Sequence, residues 1–296
     1  MMAAVELEKI HDLMVSIAYE AGGIMTSAKQ SYSTSGTKKN STDIVTETDR
    51  AVERHVSTRL MSAFPDFKFI GEETYFPGQK LTDEPTFIVD PIDGTTNFVH
   101  NFPAFCISLG FAVKKIPVVG VIYNPVLDQL YTAIQGQGSY LQRGGKNRQK
   151  LPLREAEPLI DLSTCLIGTE WGYDRTGANY ELKCKVFKKL AASKEDGGAM
   201  VHGMRSMGSA ALHLAAVAAG QQDIFWECGC WAWDVCAGWC ILVESGGIIV
   251  SGNPGEWNCE VEGRKYLAIR GAPSGQRQIV DEFWKVIGDE RLEYSP

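Results

Sequence analysis

TFIVDPIDGTTNFVH, residues 86–100, is the stretch that decides how the rest of the chain is read. Phe87, Ile88 and Val89 form a short apolar run of the kind that makes a strand buried on both faces. Asp90 is expected to end that strand, because Pro91 has no N–H to continue a ladder. Asp93 follows three residues after Asp90, and Gly94, Thr95, Thr96 and Asn97 come at once. Gly94 permits a sharp turn or a close backbone approach. Thr95 and Thr96 offer hydroxyls and N–H groups where a turn or helix starts, and the unpaired N–H groups of a helix start suit a phosphate oxyanion. Two carboxylates beside an anion cradle need a cation between them, and oxygen ligands without a neighbouring His or Cys suit Mg²⁺ better than Zn²⁺. Taken alone, the same pattern fits an Asx turn at a strand end. Further carboxylates elsewhere in the chain have to decide between the two.

The chain has 296 residues, a net charge of −7 and 44% hydrophobic residues, the composition of an ordinary globular protein with room for one large or two ordinary domains. The acidic balance argues against nucleic acid as a main partner. It does not argue against a phosphorylated substrate, since a bound metal inverts the local sign. No apolar run is long enough for a transmembrane helix, and the N-terminal MMAAVELEKIHDLM carries charge where a signal peptide would be apolar. Eight Cys without such a signal read as reduced thiols, so a cytoplasmic location is expected.

Outward from the central stretch, residues 5–29 repeat apolar groups at helical spacing, and residues 30–42 form a polar loop holding Lys38 and Lys39. A second helix is predicted over 47–62, with Asp49 in its first turn. Residues 67–70 read as a strand that ends in Gly71-Glu72-Glu73, which repeats the arrangement of an acid at a strand end. Runs at 106–114, 117–123, 129–134 and 138–143 predict an antiparallel meander. In the second half, strands are expected at 162–169, 223–227, 248–250 and 266–270, and helices at 179–192, 208–219, 231–243 and 275–287. His213 reads as a core or surface histidine. The helix from Trp231 is apolar almost all round and therefore buried, so Asp234 in its first turn must be paired or metal-bound. Mixed helices and strands without a linker imply one compact layered unit over 1–296, with two halves of roughly 1–150 and 151–296.

Cys228, Cys230, Cys236 and Cys240 lack zinc spacing, Ser108 and Ser163 lack a nucleophile-elbow context, and there is no P-loop. What remains is Glu72, Asp90, Asp93 and Asp234. Ile70-Gly71-Glu72-Glu73, then Asp90-Pro91-Ile92-Asp93-Gly94-Thr95-Thr96-Asn97-Phe98, then Trp233-Asp234 resemble, in order, the signature segments of the inositol monophosphatase family. Val201 to Ser206 looks like a further family segment. The resemblance implies a layered α-β-α-β-α sandwich, usually a homodimer. It also implies a lithium-sensitive phosphomonoesterase that uses two or three Mg²⁺ ions. Carried over residue by residue, Glu72, Asp90, Asp93, Asp234 and the carbonyl of Ile92 would bind metal. Gly94 and Thr95 would hold the phosphate, and Asp49 would pair with Thr95 to position water, with Glu72 completing the catalytic set. Lys38, Asp234 and Glu227 would contact substrate.

The chain departs from the family pattern around the substrate's alcohol. Tyr173 follows Glu170-Trp171-Gly172 where many members carry a serine, and residues 171–200 look longer than usual. These departures bear on the substrate more than on the chemistry; hydrolysis of myo-inositol monophosphates is the reaction the resemblance implies. A sugar phosphate, a 3′-phosphonucleotide or a non-catalytic phospho-ligand role stand as alternatives.

Overall fold

In the computed structural model, residues 4–28, 36–37 and 44–294 are described. Their elements run α1 (Ala4–Ser27), β1 (Gly36–Thr37), β2 (Ile44–Val45), α2 (Glu47–Ala63), β3 (Lys68–Gly71), β4 (Thr86–Asp93), α3 (Thr95–Val99), β5 (Cys106–Val113), β6 (Ile116–Asn124), β7 (Gln129–Ile134), β8 (Ser139–Arg143) and β9 (Gln149–Lys150). The second half gives β10 (Leu166–Thr169), α4 (Gly177–Ala191), β11 (Gly203–Arg205), α5 (Ala210–Ala218), β12 (Ile224–Cys228), α6 (Ala232–Glu244), β13 (Ile248–Ser251), β14 (Lys265–Ile269) and α7 (Gln276–Ile287).

Strands β3 to β9 form a seven-stranded sheet in sequence order, parallel only between β3 and β4. A five-stranded sheet follows the order β11-β10-β12-β14-β13. Side-chain burial sorts the helices into layers. Ile10, Met14 and Ile17 of α1 and Val52 and Val56 of α2 share a core with Phe87, Val89 and Leu109 on the outer face of the larger sheet. Helices α5 and α6 fill the space between the sheets, touching Ile88 on one side and Phe225 and Ala268 on the other. Helices α4 and α7 cover the far face of the smaller sheet. The result is the expected α-β-α-β-α sandwich. The all-round apolar pattern of α6 follows from its place in the middle layer. It lies so close to the sheet that a Cβ on Gly120 would sit 2.3 Å from the Ala237 carbonyl oxygen, and one on Gly110 would sit 2.5 Å from Cys236 Sγ.

Two expectations needed correction, and two short strands were not foreseen. Strand β4 does not stop at Asp90: it continues to Asp93, with a register shift between the two where Pro91 falls, so the missing N–H is absorbed by a bulge. Residues 162–164 form a 3₁₀ turn, capped by the Asp161 carboxylate accepting from Ser163 N–H at 2.9 Å, and strand pairing begins only at Leu166. The short strands β9 and β11 carry no periodic pattern that would reveal them.

Candidate active site

The bulge in β4 decides the geometry. It turns the Asp90 and Asp93 carboxylates towards one point, and the first turn of α6 brings Asp234 to it. One oxygen from each of the three lies within 4.8 Å of the others. Asp90 and Asp93 are buried, whereas Asp234 is partly exposed. Burial, followed by mutual repulsion that includes Glu72, pushes Asp90 well above the usual carboxylate range. Burial raises Asp93 to about 6 and Asp234 to about 8. Carboxylates packed this closely repel one another, and a cluster of hard oxygens under that repulsion is a fitting place for a hard cation. Glu72, just after β3, lines the same cavity. Asp234 also accepts from the Trp231 N–H at 2.5 Å, so it caps α6 as well as joining the cluster.

Asp49 likewise serves two purposes, one with each oxygen. Its Oδ2 accepts from the Thr46 N–H at 2.8 Å and from the Thr46 hydroxyl, closing the capping box of α2. Its Oδ1 accepts from the Thr95 hydroxyl at 3.1 Å. Burial raises Asp49 to about 7. The Thr95 hydroxyl also lies 3.0 Å from the Ile92 carbonyl, which places Ile92, Thr95 and Asp49 in one chain of contacts behind the carboxylates. Gly94 has φ +92°, and a Cβ there would meet the Ala104 carbonyl at 2.9 Å and the Gly208 carbonyl at 3.1 Å. Only glycine fits, and residues 94–97 line the cavity as a result.

The cavity holds about 840 Å³ and extends from the carboxylates to Glu227, at the end of β12. Glu227 is buried, its Oε2 has no hydrogen-bond partner among the described residues, and burial pushes its pKa well up. Tyr173 lines the same end. Lys38 lies outside the described residues.

Four contributors were not assigned from sequence. Ser209 donates to Asp93 Oδ2 at 2.7 Å, and the Ala211 N–H donates to the same oxygen at 2.7 Å, so the start of α5 aims this carboxylate. The Gly208-Ser209 pair before an apolar helix announces a cap, but nothing in it announces Asp93. Glu170 accepts from the N–H groups of Met207 and Gly208, both at 2.6 Å, and from the Ser206 hydroxyl at 2.8 Å, so it holds the loop that carries Ser209. Burial alone would raise Glu170, but its hydrogen bonds, that to His213 first, hold it low. His213 thus proves to be a core residue, stacked on Phe225 and bonded to Glu170 at 2.8 Å. Asn97 donates to the carbonyls of Ala104 and Met207 at 2.7 and 2.6 Å, tying the central stretch to that loop. Glu53, one turn beyond Asp49 on α2, accepts from the Glu73 N–H at 2.7 Å and so shapes the Glu72 segment. The spacing from Asp49 to Glu53 was the available signal for it.

Comparison with known proteins agrees with this geometry. A family model described as the inositol monophosphatase family matches residues 6–287. Inositol monophosphatase 2 of Saccharomyces cerevisiae is 49% identical over 263 residues, 87% of this chain and 86% of that protein. Inositol monophosphatase 1 of Homo sapiens is 38% identical over 247 residues, 82% of this chain and 84% of that protein. The solved structure of extragenic suppressor protein suhB from Bartonella henselae aligns with a TM-score of 0.76 and 29% identity, over 95% of this chain and 99% of that one.

Proposed function

The chain belongs to the inositol monophosphatase family, and on that premise we propose that it is a Mg²⁺-dependent phosphomonoesterase that hydrolyses myo-inositol monophosphates to inositol and phosphate. The observation that carries this reading is the convergence of Asp90, Asp93 and Asp234 in front of the Thr95–Asp49 pair. Glu72, Asp90, Asp93, Asp234 and the Ile92 carbonyl would hold two or three Mg²⁺ ions. Bound there, the ions would neutralise phosphate charge and lower the pKa of water.

The protein's own groups do the positioning. The Thr95 hydroxyl donates to ionised Asp49, which leaves its lone pairs to accept from the attacking water and fix its direction. Asp49, held near neutrality, is poised to take up the proton. Gly94 and Thr95 hold the phosphate oxygens, while Glu227 accepts from hydroxyls of the alcohol. Asp234 would stand near the leaving oxygen and help it leave protonated. Orientation and charge neutralisation do most of the work in phosphoryl transfer, so no covalent intermediate is required. A homodimer in the cytoplasm belongs to the same proposal, as does lithium sensitivity. Among the described residues no helix is long and apolar enough to cross a membrane.

A phosphate-release screen over inositol monophosphates, sugar phosphates and 3′-phosphonucleotides, with and without EDTA, tests the reading. Release from inositol monophosphates that needs Mg²⁺ is expected. Faster turnover of a nucleotide would reassign the substrate, and activity that survives exhaustive chelation would remove the metal.

A further inference from the structure

A lysine is seldom fully buried without a partner for its charge. Lys183 on α4 is only 5% exposed. Its ammonium donates to the Cys228 carbonyl at 2.7 Å and lies 3.3 Å from the Trp171 carbonyl. An ammonium has three N–H donors, and these two carbonyls occupy two of them. Lys183 lines the cavity at the same end as Glu227, and its charge is the largest influence lowering the Glu227 pKa against burial. Among the described residues, that end thus has a donor with one position to spare and a buried acceptor, Glu227 Oε2, without a partner.

The wall around the pair is built rather than loose. Asn179, one helical turn before Lys183, also faces the cavity. Its side chain donates to the Glu293 carbonyl at 2.7 Å and accepts from the Glu293 N–H at 3.0 Å. Asn253 holds fully buried Leu292 in the same two-way manner, at 2.9 Å in each direction. The C-terminal segment is thereby strapped across the pocket. Tyr294 covers Gly229, where a Cβ would come within 2.9 Å of the ring, and Lys183 Nζ lies 6.0 Å from the ring centre.

We propose that Lys183 is a specificity-determining residue that donates a hydrogen bond to one hydroxyl of the leaving polyol while Glu227 accepts from another. A polyol both accepts and donates, so it satisfies both groups at once, and a leaving group without hydroxyls satisfies neither. This rests on the phosphatase reading above.

The test uses the full chain with Mg²⁺, comparing wild type, Lys183→Gln and Lys183→Met on myo-inositol 1-phosphate and p-nitrophenyl phosphate, with thermal unfolding alongside. Gln keeps an amide donor for the Cys228 carbonyl, so it carries the test if Met disturbs the fold. Loss of one charged hydrogen bond predicts a fall of about tenfold in kcat/KM on the inositol substrate, mostly in KM, and less than about twofold on the aryl phosphate. Equal losses on both substrates, or no loss, would overturn the assignment and leave Lys183 as a support for Trp171 and Cys228. If wild type ignores inositol phosphate, the substrate reading fails by itself. The same ratio measured with glycerol 2-phosphate, also a polyol, then still decides the role of Lys183.

Discussion

The two ends of the cavity are built differently. At the end proposed to take the phosphate, Asp90, Ile92, Asp93, Gly94 and Thr95 come from one short stretch, and a bulge in β4 with a left-handed Gly94 is enough to converge them. At the end proposed to take the alcohol, Lys183 comes from α4, Glu227 from β12, Tyr173 from the loop between β10 and α4, and Tyr294 from beyond α7. The first end takes most of its groups from one local stretch, to which α6 adds Asp234 and α2 adds Asp49, whereas the second exists only when the whole smaller sheet and the C-terminal segment are in place. Chemistry is therefore expected to depend on the first end and selectivity on the second, a division that single substitutions at each end test.

The largest effect is expected from Asp93→Asn. Loss of a metal-binding charge should lower kcat by more than about 100-fold on every substrate, since even outer hydrogen-bond partners of a metal site are worth about 10–100-fold. The fold should survive, because one anion leaves a repelling cluster. Stability against pH checks the electrostatics independently. In metal-free protein Asp49, Asp93 and Asp234 are raised from 3.8 to about 7, about 6 and about 8. Over that interval the native state binds more protons than the unfolded chain, so stability present in mild acid is lost as pH rises. The melting temperature in EDTA should thus fall from about pH 5 to about pH 8, less steeply in Asp93→Asn, and Mg²⁺ should offset the fall. A rising melting temperature over the same range in EDTA would contradict the assignment.

Thr95→Val and Asp49→Asn come next. Each should reduce kcat by roughly 10²–10⁴-fold, the usual worth of a positioned proton acceptor. The double variant should be little worse than the worse single one, because the pair acts as a unit. Additive losses would show that Thr95 and Asp49 act separately, despite the hydrogen bond of 3.1 Å between them.

How legible each end was in the sequence follows from the same difference. Asp90, Asp93 and Asp234 were legible because each is a carboxylate set in or beside an apolar run, Asp90 within β4, Asp93 at its end and Asp234 in the first turn of α6, where a charge needs a reason. Layers of helix and strand were legible too, since Phe87 to Val89 is apolar on both faces, as a strand between helix layers must be; the α-β-α-β-α order followed from the family resemblance. The bulge was not, because Pro91 alone signals a strand end as readily as an irregularity. Lys183 was hidden on α4 because its neighbours Lys185, Lys188 and Lys189 make it look like one more solvated charge. Only the docking of β12 and residue 171 against α4 turns that charge inward. Ser209 could be named as a helix cap, but its pairing with Asp93 spans 116 residues, and no local pattern encodes that.

Glu227→Gln should show a smaller effect and a selective one. Leaving a substrate hydroxyl without its charged acceptor costs about 1–3 kcal/mol in kcat/KM on inositol phosphates. The loss on an aryl phosphate without those hydroxyls should be clearly less. Matching losses on the two substrates would mean that Glu227 serves the metal end or the fold, and the division between the ends would not hold.

Ser209→Ala is expected to have the smallest effect and gives the sharpest test of where the boundary lies. Ser209 belongs to the second half of the chain by sequence, yet its hydroxyl is spent on the phosphate end. It donates to Asp93 at 2.7 Å and accepts from the Leu212 N–H at 3.2 Å as the cap of α5. Removing it should lower stability by about 1 kcal/mol through the lost cap. Asp93 keeps the N–H groups of Ala211 and Ala210, so its carboxylate loses one guide and not its place. The Mg²⁺ concentration for half-maximal activity should then rise by up to about tenfold, the lower range for a lost outer hydrogen bond at a metal site. At saturating Mg²⁺, kcat should recover, and the ratio of inositol phosphate to aryl phosphate turnover should not move, because nothing Ser209 touches reaches the alcohol. Ser209→Thr keeps the hydroxyl and should restore the metal requirement. If Ser209→Ala instead alters the substrate ratio with the Mg²⁺ requirement unchanged, then the 206–209 loop belongs to the alcohol end, and Glu170, which anchors that loop through Ser206, Met207 and Gly208, must be reassigned with it.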